Sequence, residues 1–154
     1  MKTTTFAACL FAALPGLAAA DGLEDVAEAR RGYYKLLGSD MAALAAMAKG
    51  EVEYDAAVAE TRARNMQILT TYDRAGLYVP GTSTADLPGE TRALPAIWED
   101  MAGVQEDGKA FVAAVEELQA AAGEGRAALG AAVQKVGGTC KSCHDEYKSK
   151  DYLY

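Results

Sequence analysis

The residues in this chain best equipped for chemistry are Cys140, Cys143 and His144, in the run Cys140-Lys141-Ser142-Cys143-His144 near the C-terminal end of the 154-residue sequence. Cys-x-x-Cys-His is the attachment signature of a c-type haem. Two thiols at this spacing can each form a thioether with a porphyrin vinyl group, and the adjoining imidazole is a standard axial ligand for iron. On a helix, positions three and four apart share a face, so all three side chains project toward one partner. Rival chemistries fit less well. A zinc site needs further Cys or His ligands, yet the sequence holds one His and, outside the motif, only Cys9. A thioredoxin-like pair opens a helix after a strand, and no strand pattern precedes this one. A structural disulfide is the third rival.

The N-terminus supplies a context for the motif. A basic start at Met1-Lys2, an apolar run from Phe6 to Leu14, a break at Pro15-Gly16 and the small residues Ala18-Ala19-Ala20 read as a secretory signal peptide. The run is too short and wrongly flanked for a transmembrane anchor. Residues 1–20 are thus expected to be removed, taking Cys9 with them, and residues 21–154 to form one domain. An exported thiol pair is normally oxidised, so covalent capture by haem also accounts for both cysteines. Export with haem attachment points to a bacterial periplasm. One of the 15 basic residues goes with the leader, leaving 14 against 22 acidic, a net charge of −8. Such a surface disfavours nucleic acid and anionic membranes and suits a basic partner protein.

The elements that must position the motif are helical. Alanine is abundant and long stretches lack proline, both of which favour helix. The spacing predicts a first helix from Leu23 to Lys49, ended by Gly50, with Val26, Tyr33, Leu36, Leu37, Met41, Leu44 and Met47 as its apolar stripe. A second helix is expected from an Asp55 cap to Tyr78, its face carried by Val58, Met66, Leu69 and Tyr72. Val79 to Arg92, punctuated by Pro80-Gly81 and Pro88-Gly89, reads as a long connection of the kind that is often functional. Ile97-Trp98 is read as a cap over the core. A third helix covers Ala102–Ala122 with Val104, Phe111, Val115 and Leu118 inward. A fourth covers Arg126–Lys148 with Leu129, Val133, Val136, Cys140, Cys143 or His144, and Tyr147 inward. Gly137-Gly138 either lets a haem plane approach the backbone or is a helix irregularity. The expected fold is all-α: an antiparallel up-down-up-down four-helix bundle with covalently bound haem c.

With these features in place the sequence resembles the cytochromes c′, the class II c-type cytochromes. The resemblance rests on Val136-Gly137-Gly138-Thr139 leading into the haem motif near the C-terminus, on Arg30-Arg31 through Leu36-Leu37-Gly38, on Lys49-Gly50 before Tyr54-Asp55, and on Ile97-Trp98. In the class that resembles mitochondrial cytochrome c, the motif lies near the mature N-terminus instead, with a methionine ligand far downstream.

The resemblance implies a set of site residues. Cys140 and Cys143 would hold one haem c through two thioethers, with His144 on the iron. The first helix would cross the opposite face, and matching Leu36-Leu37-Gly38 to the family pattern puts Tyr34 there, with neighbouring Tyr33 as the other inward option. Low-spin relatives carry a methionine at that place. Here the nearest, Met41, is about two turns further along, which implies a five-coordinate, predominantly high-spin iron. A phenolate ligand would require loss of a proton whose ordinary pKa is about 10. Arg30, four residues before Tyr34, is expected to reach a haem propionate, against the alternative of a solvated surface arginine. Arg31 occupies a neighbouring contact position, usually glutamine in the family. Glu90-Thr91 matches the loop segment along the haem edge. Lys148 stands where the family often has an arginine near the imidazole, or is simply a basic residue at a helix C-terminus.

The function this implies is reversible binding of nitric oxide and carbon monoxide, serving to buffer or remove nitric oxide. The alternative is a single-electron carrier between periplasmic redox proteins. A peroxidase-like enzyme is disfavoured, because no second His remains for acid–base work. The family resemblance also implies a homodimer through the first two helices.

Overall fold

The computed structural model describes residues 17–151. Four long helices carry the fold: α1 (Leu17–Lys49), α2 (Ala56–Thr70), α4 (Met101–Ala121) and α5 (Arg126–Tyr147). A single turn of α-helix, α3 (Ala96–Glu99), and a 3₁₀ turn at Ala75–Leu77 lie in the long connection between α2 and α4. Each long helix packs on two others, closing the ring α1-α2-α4-α5. This is the antiparallel four-helix bundle that the sequence predicts.

Helix α1 is described from Leu17, ahead of the expected Leu23, through a stretch of Leu and Ala that favours helix. The expected cleavage point after Ala20 therefore falls within its first turn. The rest of the expected signal peptide, residues 1–16 with Cys9, lies outside the described residues. At the other end Gly50 adopts a left-handed φ of 76°. Its N–H donates to Met47 O at 3.1 Å and that of Glu51 donates to Ala46 O at 2.9 Å, the paired closure that favours glycine.

Helix α2 opens where Asp55 Oδ1 accepts the Val58 N–H at 3.0 Å and stops at Thr70, eight residues short of the expected Tyr78. The cause is local. The hydroxyls of Thr70 and Thr71 donate back to Gln67 O and Ile68 O, both at 2.7 Å, and Asp73 Oδ1 takes the Ala75 N–H at 3.0 Å. These bonds offer the backbone a turn in place of another helical one. Tyr72 is thereby left exposed rather than inward, and the connection lengthens to include Leu77 and Tyr78.

The core runs down the ring through Leu37, Leu44, Met47, Ala59, Ala63, Met66, Val115, Leu118, Leu129 and Val136. Two expected stripes need correction. Leu36 is 58% exposed and Val58 faces outward. In their places α1 buries Arg30 and Asp40, and α2 buries the small Ala59 and Ala63. Asp40 is tolerated because Arg62 Nη1 donates to it at 2.9 Å from α2.

Tyr54 fastens the end of the bundle away from the motif. Its hydroxyl donates to Ala122 O at 2.8 Å and accepts the Gly125 N–H at 3.0 Å. The long connection and the motif share the other end. There a smaller apolar cluster of Ala93, Ile97 and Tyr147 gathers Tyr78, Trp98, Met101, Val104 and Cys143.

Candidate functional site

Helix α5 runs unbroken through Gly137-Gly138 to Tyr147, so the glycines cause no interruption. Gly137 lies close to Met41, whose methyl would stand 3.8 Å from an added Cβ, and Gly138 faces open space. The helical spacing places Cys140, Cys143 and His144 on one face. Cys140 packs on the main core and Cys143 on the smaller cluster, so the motif bridges the two. Both thiols are free and half-buried, and His144 is exposed.

Electrostatics set the protonation of these groups. Burial pushes the Cys143 thiol up to about 11, with the Asp107 carboxylate adding to it, and burial raises Cys140 as well. Both are thiols rather than thiolates at neutral pH. Burial lowers the His144 pKa, and the cations of Lys148 and Arg92 lower it further. The imidazole is therefore neutral at pH 7, the form with a lone pair to give.

The turn that carries His144 is held from below by the chain leading into α3. Ala93 and Lys148 form an isolated antiparallel bridge. The Leu94 N–H donates to Tyr147 O at 3.0 Å and that of Ser149 to Arg92 O at 2.8 Å. Arg92 Nε donates to Ser149 O at 2.7 Å. Tyr147 Oη donates to Asp100 Oδ2 at 2.7 Å, while Asp100 Oδ1 caps α4 through the Gly103 N–H at 3.0 Å.

Helix α1 supplies Arg30, Arg31 and Tyr34. Arg30 is only 5% exposed. Its Nη1 donates to Leu77 O at 2.9 Å and Thr82 Oγ1 at 2.8 Å. Its Nη2 donates to Thr82 O at 2.7 Å and Thr91 Oγ1 at 2.9 Å. Four of its five donors are thus spent on the long connection, and every partner is neutral. Arg31 donates to the Glu90 carbonyl and lies 3.5 Å from its carboxylate. The structure thus brings Arg30 to Thr91 and Arg31 to Glu90.

Tyr33 and Tyr34 sit in different surroundings. Tyr33 is buried, with Oη donating to Leu69 O at 3.1 Å. Tyr34 stays 38% exposed. Its ring stands edge-on to Tyr33 with centroids 5.1 Å apart, and its Oη lies 2.5 Å from Tyr78 Oη. Burial raises the Tyr34 pKa strongly, and Tyr78 raises it further, so the phenol keeps its proton.

Sequence reasoning missed Tyr78, Thr82 and Arg92. By sequence Tyr78 belongs to the end of α2, and the other two lie in or beside the long connection with no local pattern to mark them. The only available signal was the length of that connection.

The donor set suits a c-type haem. Two uncommitted thiols and a neutral imidazole share one helix face, flanked by the apolar and aromatic groups of Phe111, Val104, Trp98 and Tyr78. Among the described residues no three His, Cys, Asp or Glu side chains gather into a set that could hold a metal ion.

Comparison with known proteins agrees with this geometry. A family model described as cytochrome c′ matches residues 25–148. A cytochrome c′ from Cereibacter sphaeroides is 53% identical over 143 residues, covering 93% of this chain and 95% of the relative. A solved structure of cytochrome c′ from Rhodobacter sphaeroides superposes with a TM-score of 0.82 at 53% identity, over 84% of this chain and 98% of that one. A ferrous variant of the Alcaligenes xylosoxidans cytochrome c′ with bound nitric oxide matches with a TM-score of 0.72 at 32% identity, over 84% of this chain and 97% of that one.

Proposed function

From the premise that this chain belongs to the cytochrome c′ family, whose members carry a c-type haem, we propose that it is a periplasmic gas-binding protein taking nitric oxide and carbon monoxide reversibly. Cys140 and Cys143 would hold one haem through thioethers, and His144 would be the sole protein ligand to its iron. The bound haem supplies an iron with one open coordination position, where a diatomic gas can bind.

The observation that carries this reading is the state of Tyr34. Its register on α1 is where low-spin relatives place a methionine, and a phenol stands there instead. Hydrogen-bonded to Tyr78 and with its pKa raised by burial, that phenol is a poor anionic ligand at neutral pH. Met41 is packed against the core of the bundle near Gly137, and Met47 and Met66 are buried within it. The nitric oxide complex of the Alcaligenes relative supports the choice of ligand.

Burial favours the neutral imidazole of His144, and the cations of Lys148 and Arg92 further oppose its protonation. Arg30 keeps Nε–H as its one donor not spent on the connection, and that donor would serve a propionate. Arg31, with Glu90 beside it, is a second candidate for the same edge.

Leu36 on α1 and Val58 and Ile68 on α2 are exposed, which suits the homodimer expected of the family. Among the described residues no helix is long and apolar enough to cross a membrane. The excess of acidic residues supports an electron-transfer role with a basic partner as the second reading.

Optical and EPR spectra of the purified haem protein, with and without nitric oxide, test the proposal. High-spin spectra in both oxidation states and a new spectrum with nitric oxide are expected. A low-spin, methionine-ligated spectrum overturns it.

A further inference from the structure

Tyr78 is among the most firmly fixed side chains beside the motif. Its carbonyl accepts the Trp98 Nε1–H at 2.9 Å, and its N–H donates to Ala75 O at 3.2 Å. The carbonyl just before it, Leu77 O, is held by Arg30, whose guanidinium carbon lies 6.0 Å from the Tyr78 ring centroid. The ring itself packs against both apolar clusters, the one with Cys140 and the one with Cys143. Tyr34 is held far less. It projects from α1 partly exposed, restrained by the edge of Tyr33 and by one hydrogen bond, Oη to Oη at 2.5 Å.

A lightly restrained group tied to a well-anchored one by a single polar bond is a latch. We propose that Tyr78 determines gas access to the site by holding the Tyr34 phenol through that bond, so that an incoming ligand must unfasten it. The inference rests on the gas-binding reading above. Each phenol has one proton, so the pair spends one of its two protons internally and has one left for a bound ligand. Deleting either hydroxyl frees the Tyr34 ring to swing without disturbing the backbone bonds that hold Tyr78.

The test uses the haem-loaded protein and the variants Tyr34→Phe, Tyr78→Phe and the double variant, mixed with carbon monoxide in the reduced state. Each single variant is expected to bind carbon monoxide roughly three- to tenfold faster, the range set by the net strength of one hydrogen bond. The double variant should be no faster than either single one, because both remove the same bond. Thermal unfolding of the same four proteins without gas supplies a second readout. The loss in Tm for the double variant should fall short of the sum of the two single losses.

Unchanged association in Tyr78→Phe, rates that multiply in the double variant, or additive losses in Tm would each overturn the latch while leaving the gas-binding reading standing. Wild-type protein that takes up neither carbon monoxide nor nitric oxide would overturn that reading, and the latch with it.

Discussion

Arg30 grips Thr82 at both ends. Nη1 donates to the Thr82 hydroxyl at 2.8 Å and Nη2 to its carbonyl at 2.7 Å, across 52 residues of sequence. The same fork reaches Leu77 O and Thr91 Oγ1, so one side chain on α1 shapes the connection from Leu77 to Thr91. No carboxylate is among these four partners. The cation is held by oriented neutral oxygens, and burial lowers its pKa without removing its charge.

Replacing Arg30 should therefore loosen the connection. Arg30→Ala leaves Thr82 and Leu77 O without their donor and should cost roughly 3 kcal/mol. That corresponds to a fall in Tm on the order of 10 °C. Arg30→Lys keeps the charge but not the planar fork, and should cost about half as much. Thermal unfolding of the haem-loaded protein checks both. If Lys unfolds at the wild-type temperature, the fork is not what holds the connection.

Much of the bundle was legible because its signals are local. Asp55 caps the helix it precedes, Gly50 closes α1, and the apolar positions of α5 recur with helical period. The motif is equally local, three residues on one helix face. What could not be read depends on partners far along the chain. Sequence marks Arg30 as a propionate contact, and nothing local shows that it and Asp40 are buried until Thr82 and Arg62 are seen to meet them. Tyr78 continued the apparent period of α2, and only the back-bonded Thr70 and Thr71 reveal why the helix stops before it. The Tyr34–Tyr78 contact spans 44 residues, a distance at which no periodic pattern carries information.

The Asp40–Arg62 pair should respond unequally to loss of its two members. The Asp40 side chain is only 9% exposed, whereas Arg62 is 42% exposed. Arg62→Ala strands a carboxylate that water scarcely reaches and should cost about 2 kcal/mol, discounted for the partial exposure of the arginine. Asp40→Asn leaves Arg62 free to turn outward and should cost about 1 kcal/mol or less. Urea unfolding of the two variants and the double variant gives the comparison. Equal losses would contradict the argument.

Two glycines in the same fold should tolerate alanine very differently. A Cβ on Gly103 would overlap Asp100 Oδ2 and Tyr147 Oη, both fixed by their mutual bond and by the cap of α4. Gly103→Ala should cost roughly 2 kcal/mol, the scale of overpacking. A Cβ on Gly123 would meet only the end of the Glu60 side chain, which can swing away. Gly123→Ala should stay within about 0.5 kcal/mol of wild type. Matched denaturation curves check the contrast, and comparable losses would show that the Asp100–Tyr147 contact is softer than its geometry indicates.

The same contact should make stability depend on pH at both extremes. The Tyr147 hydroxyl and the Gly103 N–H hold the Asp100 carboxyl below its usual range, while hydrogen bonding to Asp100 pushes Tyr147 up to about 12. A depressed acid stabilises the fold above its unfolded pKa, about 4, and that contribution is lost as pH falls through the lower folded value. A raised phenol contributes fully below its unfolded pKa, about 10, and that contribution is lost as pH climbs toward 12. Burial raises Tyr33, Tyr34 and Tyr78 as well, and these remain in a Tyr147→Phe variant. The difference in Tm between wild type and Tyr147→Phe therefore isolates one phenol. It should be constant from pH 6 to 9 and shrink between roughly 10 and 12. Asp100→Asn should likewise converge with wild type as the pH drops below about 4. Tyr147 follows His144 by less than one helical turn, so these are also the limits within which α5 holds its imidazole in place. A wild-type curve that runs parallel to Tyr147→Phe through the alkaline range would mean that the phenol does not donate to the carboxylate in solution as it does in the structure.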